Sequence, residues 1–182
     1  GTLWLSTWNR GLVAFEPRSG ASRGYRHDPR RDGSLAADRI ASVMVDGEGH
    51  AWVGTWGSGI NRFGTMGDLF HSILERRPGD DAGLPYREVT SVLEDREGRL
   101  WVGTWGKGLF RRDRGSSRFV GIVPPSDPPM ALNTVLSLAQ QADGTVWAGS
   151  MAALMRIDPG TKRATSMPRA PQDPPGLSPG YV

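Results

Sequence analysis

Short apolar segments separated by polar turns run along the chain, and their local pattern excludes helix. The clearest stretch begins at residues 88–94, where alternating β-branched side chains predict a strand. Further strands are predicted at 99–104, 109–113 and 118–123, joined by short turns. The pattern therefore predicts an up-and-down sheet of four strands.

One phrase returns four times in the chain, in residues 1–15, 49–63, 98–112 and 144–157. A tryptophan marks each copy: Trp4, Trp52, Trp101 and Trp147. These markers lie 48, 49 and 46 residues apart, a period typical of one propeller blade. The strands that carry them are apolar on both faces, so neighbouring blades must cover both sides. We predict that the markers are core residues.

The predicted fold class is all-β, with about four β-propeller blades that form an arc of a larger propeller. Each blade is expected to be a four-stranded antiparallel up-and-down sheet, except that the first copy begins at its second strand. We expect a single propeller fragment over residues 1–182. Its expected divisions are a partial blade at 1–37, blades at 38–84, 85–130 and 131–175, and the start of a next blade at 176–182.

The repeated phrase resembles the two-component regulator propeller repeat. It contains, in order, Asp, Gly, aliphatic-Trp-aliphatic-Gly-Thr and Gly-Leu, and the resemblance is strongest in Val89–Leu109 and Ile40–Ile60. In that family such arrays are periplasmic sensor regions of membrane-spanning bacterial regulators, followed by an output domain such as a histidine kinase or diguanylate cyclase. The resemblance implies a non-catalytic periplasmic sensor whose partners are the remaining blades and signalling domains of its own protein. The fourth copy departs from the pattern, with Gln141 where Asp is usual and Ser150-Met151 in place of Thr-Trp.

Composition narrows the possible functions. The 25 glycines, 14 prolines and 7 tryptophans favour short strands and tight turns. The net charge is +3 and the densest basic stretch, residues 26–31, is interrupted by Asp28 and Pro29, so we expect a solvated loop and no nucleic-acid binding. Cysteine is absent, which excludes disulfides and thiolate metal sites. No apolar run approaches the roughly 20 residues that span a bilayer, so no membrane contact is expected in the fragment.

One rim of the predicted propeller carries aromatic and cationic side chains. The connection from second to third strand emerges on the same rim as the connection between blades. The predicted ligand-binding residues there are Trp8, Arg10, Arg39, Trp56, Tyr86, Arg87, Trp105 and Lys107. An aromatic face beside a guanidinium suits a glycan or another small ligand with an anionic group. Alternatively, the second tryptophan of each copy packs into the seam between blades.

The remaining candidate groups favour structural roles. The acids of the turns, such as Asp46, Asp95 and Asp143, are expected to cap those turns rather than to bind calcium or transfer protons. His27 and His50, like His71, occupy unrelated positions in their repeats, so we predict no catalytic residue, metal or cofactor. Two alternative functions stay open. One is a lyase or hydrolase that resembles the streptogramin lyases, and the other is a protein-interaction scaffold that self-associates through its blade faces.

Overall fold

The computed structural model describes residues 1–64, 69–73, 83–122, 133–151 and 153–167. Within these ranges every helix or strand element is a β-strand, and the strands form four antiparallel sheets. The strands are β1 (Leu3–Ser6), β2 (Leu12–Glu16), β3 (Ala21–Tyr25), β4 (Ile40–Val45), β5 (Ala51–Thr55), β6 (Ile60–Phe63), β7 (Phe70–Ile73), β8 (Val89–Glu94), β9 (Leu100–Thr104), β10 (Leu109–Arg112), β11 (Phe119–Ile122), β12 (Val135–Gln140), β13 (Val146–Ser150), β14 (Leu154–Asp158) and β15 (Arg163–Met167).

Each sheet is a meander of consecutive strands, in the orders β1 to β3, β4 to β7, β8 to β11 and β12 to β15. The predicted all-β architecture of propeller blades is confirmed, and most predicted strand ends are correct to within one residue. The first sheet has three strands, β1 to β3. The predicted start of a further blade at 176–182 lies outside the described residues.

The chain divides into two compact units, Gly1–Val92 and Leu93–Val182. In the first unit a core cluster joins the first two sheets, with Leu12, Val53 and Phe63 among its buried members. In the second unit the cluster contains Trp101, Val135 and Met155, each fully buried. Hydrophobic burial between the sheets therefore stabilises each unit, as the two-sided apolar strands predict.

The turn before β9 fixes the marker tryptophan of its blade. Asp95 accepts hydrogen bonds from the backbone N–H groups of Glu97 and Arg99 through Oδ1, and Gly98 has a φ of 74°. The capping role predicted for this acid is therefore confirmed. The other oxygen, Oδ2, accepts a hydrogen bond from Nε1 of Trp101 at 2.7 Å. This bond, which was not predicted from the sequence, ties the turn to the blade core.

The same bond recurs in two other blades. Nε1 of Trp52 donates to Oδ2 of Asp46 at 2.8 Å, and Nε1 of Trp147 donates to Oε1 of Gln141 at 2.9 Å. The unusual Gln141 thus supplies the same acceptor as aspartate. Trp52 and Trp101 are buried as predicted, whereas Trp147 is only half-buried, as is Trp4.

Asp46, in the turn before β5, makes its hydrogen bond with Trp52 dependent on pH. Partial burial alone would raise the pKa of Asp46, but hydrogen bonds from the Trp52 indole and the His50 N–H outweigh it, and the pKa falls below its ordinary 3.8. Because the folded-state pKa lies below that of the unfolded chain, the carboxylate stabilises the fold above about pH 4. That contribution is lost as the pH falls through the folded-state pKa.

We expect Asp46→Asn to lower the free energy of unfolding by about 1 kcal/mol at pH 7, because a charge-assisted bond becomes a neutral one. At pH 3 the difference from the natural protein should shrink, since this is below the ordinary pKa of 3.8 and the carboxylate of the unfolded chain is then mostly protonated. Thermal unfolding at both pH values measures this, with Asp32→Asn, the same substitution at an exposed aspartate of another loop, as control. An equal loss at pH 7 and pH 3 would contradict the assignment.

Candidate functional site

One backbone hydrogen bond recurs where the loop between the second and third strands of a blade meets the residues that lead into the next blade. The loop glycine donates it and a carbonyl of the lead-in accepts it. The three bonds are Gly11 to Asp38 at 2.9 Å, Gly59 to Arg87 at 3.0 Å and Gly108 to Asn133 at 3.0 Å. All three glycines have a positive φ, which other residues rarely adopt. These bonds hold the loop and lead-in together on one rim.

In the first unit, this rim brings two tryptophans and an arginine together. The guanidinium carbon of Arg39 lies 4.7 Å from the ring centroid of Trp8 and 6.0 Å from that of Trp56. The two indoles meet edge to face, with centroids 5.7 Å apart and planes at 70°. Trp8 is 57% exposed, and Arg39 is also exposed. We call these three residues the Trp8–Arg39–Trp56 cluster.

The other predicted rim residues of the first unit have different surroundings. Arg10 lines an open groove with Gly24 and Arg26, and its carbonyl accepts a hydrogen bond from Arg26 Nε at 3.4 Å. The guanidinium of Arg87 lies 3.9 Å from the carboxylate of Glu88. Tyr86 is half-buried beside it.

In the second unit, Trp105 and Lys107 lie on the equivalent loop of their own blade. Trp105 is 39% exposed and forms an isolated β-bridge with Thr134, just as Trp56 does with Glu88. The backbone of these tryptophans thus belongs to the seam between blades, while part of each ring faces solvent. Ligand binding by the rim stays a prediction.

Comparisons with known proteins agree with this architecture. The two component regulator propeller family matches residues 83–106, which include β8, β9 and the loop that carries Trp105. The chain is also similar to the extracellular domain of a protein described as a hybrid two-component system from B. thetaiotaomicron. Identity is 20%, the TM-score is 0.76, and the match covers 91% of this chain and 22% of that one.

A second such extracellular domain from B. thetaiotaomicron is 25% identical, with a TM-score of 0.70 over 94% of this chain and 21% of that chain. Residues 83–106 thus match a two-component regulator propeller repeat. The resemblance drawn from the repeated phrase is therefore confirmed. The chain spans about a fifth of the length of the two solved structures.

Less similar solved structures indicate a shared fold and nothing about function. The propeller is 19% identical to PorZ, a surface component of the type-IX secretion system of Porphyromonas gingivalis, with a TM-score of 0.61 over 86% of this chain and 23% of that one. No curated protein sequence matches the propeller.

Two of the three histidines, His27 and His50, have local partners. Nδ1 of His50 lies 3.1 Å from Oδ2 of Asp46, the oxygen that also anchors Trp52, and Nδ1 of His27 lies 2.7 Å from the Leu35 carbonyl oxygen. Across the described ranges, no three His, Asp or Glu side chains lie close enough to hold a metal ion. The same ranges contain no helix with the length and hydropathy needed to cross a bilayer.

Proposed function

We propose that this propeller is a ligand-sensing segment of a membrane-spanning two-component regulator, located in the periplasm and without catalytic activity of its own. The family match and the two extracellular domains from B. thetaiotaomicron support this proposal. Residues 1–182 would form one propeller fragment. The remaining blades and an output domain, a histidine kinase or diguanylate cyclase, would belong to the same protein.

The observation that carries the proposal is the Trp8–Arg39–Trp56 cluster. Burying a tryptophan stabilises a fold, so a Trp8 ring that remains 57% exposed contributes little to stability. Its indole offers an apolar face on which the face of a sugar ring stacks. Arg39 lies against the same ring and offers forked donors to a hydroxyl or carboxylate of that ligand. A glycan or small organic acid is therefore the proposed ligand class.

The cluster also suggests how binding would alter the propeller. Trp8 follows β1 of the first sheet, and Trp56 follows β5 of the second. Thr7 and Ile40 join the same two sheets through a backbone hydrogen bond of 3.1 Å. A ligand that touches both indoles would favour one packing of the two blades over another, and its differential affinity would set the size of the shift.

A thermal-shift screen of neutral sugars, acidic sugars and small organic acids tests the proposal. A ligand found in this way should bind Trp8→Ala or Arg39→Gln about tenfold more weakly, the effect of losing about 1.4 kcal/mol of contact. Arg18→Gln, an exposed arginine in the turn after β2, is the matched control and should bind normally. Unchanged affinity in both cluster variants would contradict the assigned site.

A further inference from the structure

A different feature of the first unit is a groove beside β3 and the connection that follows it. The groove has a volume of about 220 Å³, and Arg23, Tyr25, Arg26 and Arg31 are among its lining residues. A more open groove of about 510 Å³ is lined by Arg10, Gly24 and Arg26. Since Gly24 and Arg26 belong to both, the two grooves adjoin. Residues 26–31, expected to be a solvated loop, thus form part of a concave surface.

The charge of this surface is strongly one-sided. Four arginines line the two grooves, and Asp28 is the single carboxylate among the lining residues that the structure describes. Asp28 is already engaged within its own loop, where Oδ1 accepts the N–H of Arg30 at 3.0 Å. Arg10 and Arg31 form no ion pair with any carboxylate of the described residues. The surface therefore attracts anions.

Internal hydrogen bonds hold the connection in shape. The N–H of Arg31 donates to the Asp28 carbonyl at 3.0 Å, and the Ser34 hydroxyl donates to the same carbonyl at 2.9 Å. The N–H of His27 donates to Oδ1 of Asp38 at 2.7 Å. On β3, the guanidinium carbon of Arg23 lies 5.1 Å from the Tyr25 ring centroid. Because these residues are already ordered, the protein loses less conformational entropy when a ligand binds.

We propose that this groove binds a phosphate or sulfate group, either free or as the ester of a small molecule. Guanidinium groups donate paired hydrogen bonds whose geometry matches the oxygens of such an anion. Several arginines around one concave surface favour a multiply charged group over a single carboxylate. The volume of about 220 Å³ is below the roughly 300–1,000 Å³ of pockets for drug-sized ligands, so the bound group should be smaller than those ligands.

Three variants distinguish binding in the groove from nonspecific attraction of anions by the positive charge of this surface. Arg31→Gln removes one donor from the lining, and Arg30→Gln removes the same charge from a neighbouring residue outside it. Gly24→Gln adds a side chain at the junction of the grooves. A Cβ at Gly24 meets no atom within 4 Å, and its φ is not in the left-handed region, so this variant should fold and obstruct the site.

Calorimetric titration of the 182-residue chain with inorganic pyrophosphate and with glucose 6-phosphate, at constant ionic strength, tests the proposal. We expect saturable binding of at least one probe, about tenfold weaker in Arg31→Gln and Gly24→Gln. The tighter probe shows whether the free or the esterified group is preferred. Arg30→Gln should bind both probes normally, and pyrophosphate has no sugar ring to stack on Trp8, so the pyrophosphate result is independent of the cluster proposed above. Absence of saturable binding, or equal weakening by Arg30→Gln, would overturn the proposal.

Discussion

Trp101→Ala is expected to lower the free energy of unfolding by about 3–5 kcal/mol. The Trp101 side chain is fully buried in the core of the second unit, so its loss leaves a cavity. The substitution also removes the indole N–H that donates to Oδ2 of Asp95, a residue only 4% exposed. A buried carboxylate oxygen that loses a donor adds a further cost.

Urea unfolding followed by circular dichroism measures this loss, and Trp8→Ala is the matched control. Both variants delete one indole from the same chain, but Trp8 is 57% exposed. Trp8→Ala should therefore change the free energy of unfolding by only about 0.5 kcal/mol. Similar losses in the two variants would contradict the separation of core and rim tryptophans.

Gly54→Val should produce the second large effect, a loss of about 3 kcal/mol. A Cβ at Gly54 would lie 2.5 Å from Oγ of Ser42 and 2.7 Å from Cγ1 of Val89. Valine otherwise favours strands, so only the lack of space makes this substitution unfavourable. The close approach of β5 to the first strand of the following blade requires glycine here.

Gly24→Val is the control for Gly54→Val, because Gly24 also lies in a strand but has open space around its Cβ position. Its expected effect is neutral or slightly stabilising, since valine has the higher strand propensity. Thermal unfolding of both variants gives the comparison. Equal stability of the two would show that β5 is not tightly packed against its neighbour.

The blade architecture was predictable because the same sequence phrase, with its marker tryptophan, occurs four times at a regular spacing. The turn at Asp95 was also predictable, since Asp and Gly have local backbone preferences. The hydrogen bond from Trp101 to Asp95 was not predicted. It depends on how the turn brings two residues that are six positions apart into contact. The signal was present in the constant six-residue spacing, including Gln141 and Trp147, where an amide oxygen replaces the carboxylate.

The rim was predictable only in part. Blade topology correctly indicated that the loop of Trp8 and the lead-in at Arg39 meet, and the structure brings them together with Trp56. Arg10 follows the same loop but lines a groove with Gly24. The position of a Cβ at Gly24 is open, and such a space is not apparent from the sequence of the loop alone.

The central claim is that the repeat encodes two classes of tryptophan, one anchored in the blade core and one displayed on the rim. Hydrogen exchange of the indole N–H groups tests it most directly, since the 7 tryptophans give separate nuclear magnetic resonance signals that Trp→Phe variants assign. We predict slow exchange for Trp101 and Trp52, which donate to Asp95 and Asp46, and fast exchange for the exposed Trp8. Exchange at Trp101 as fast as at Trp8 would contradict the account.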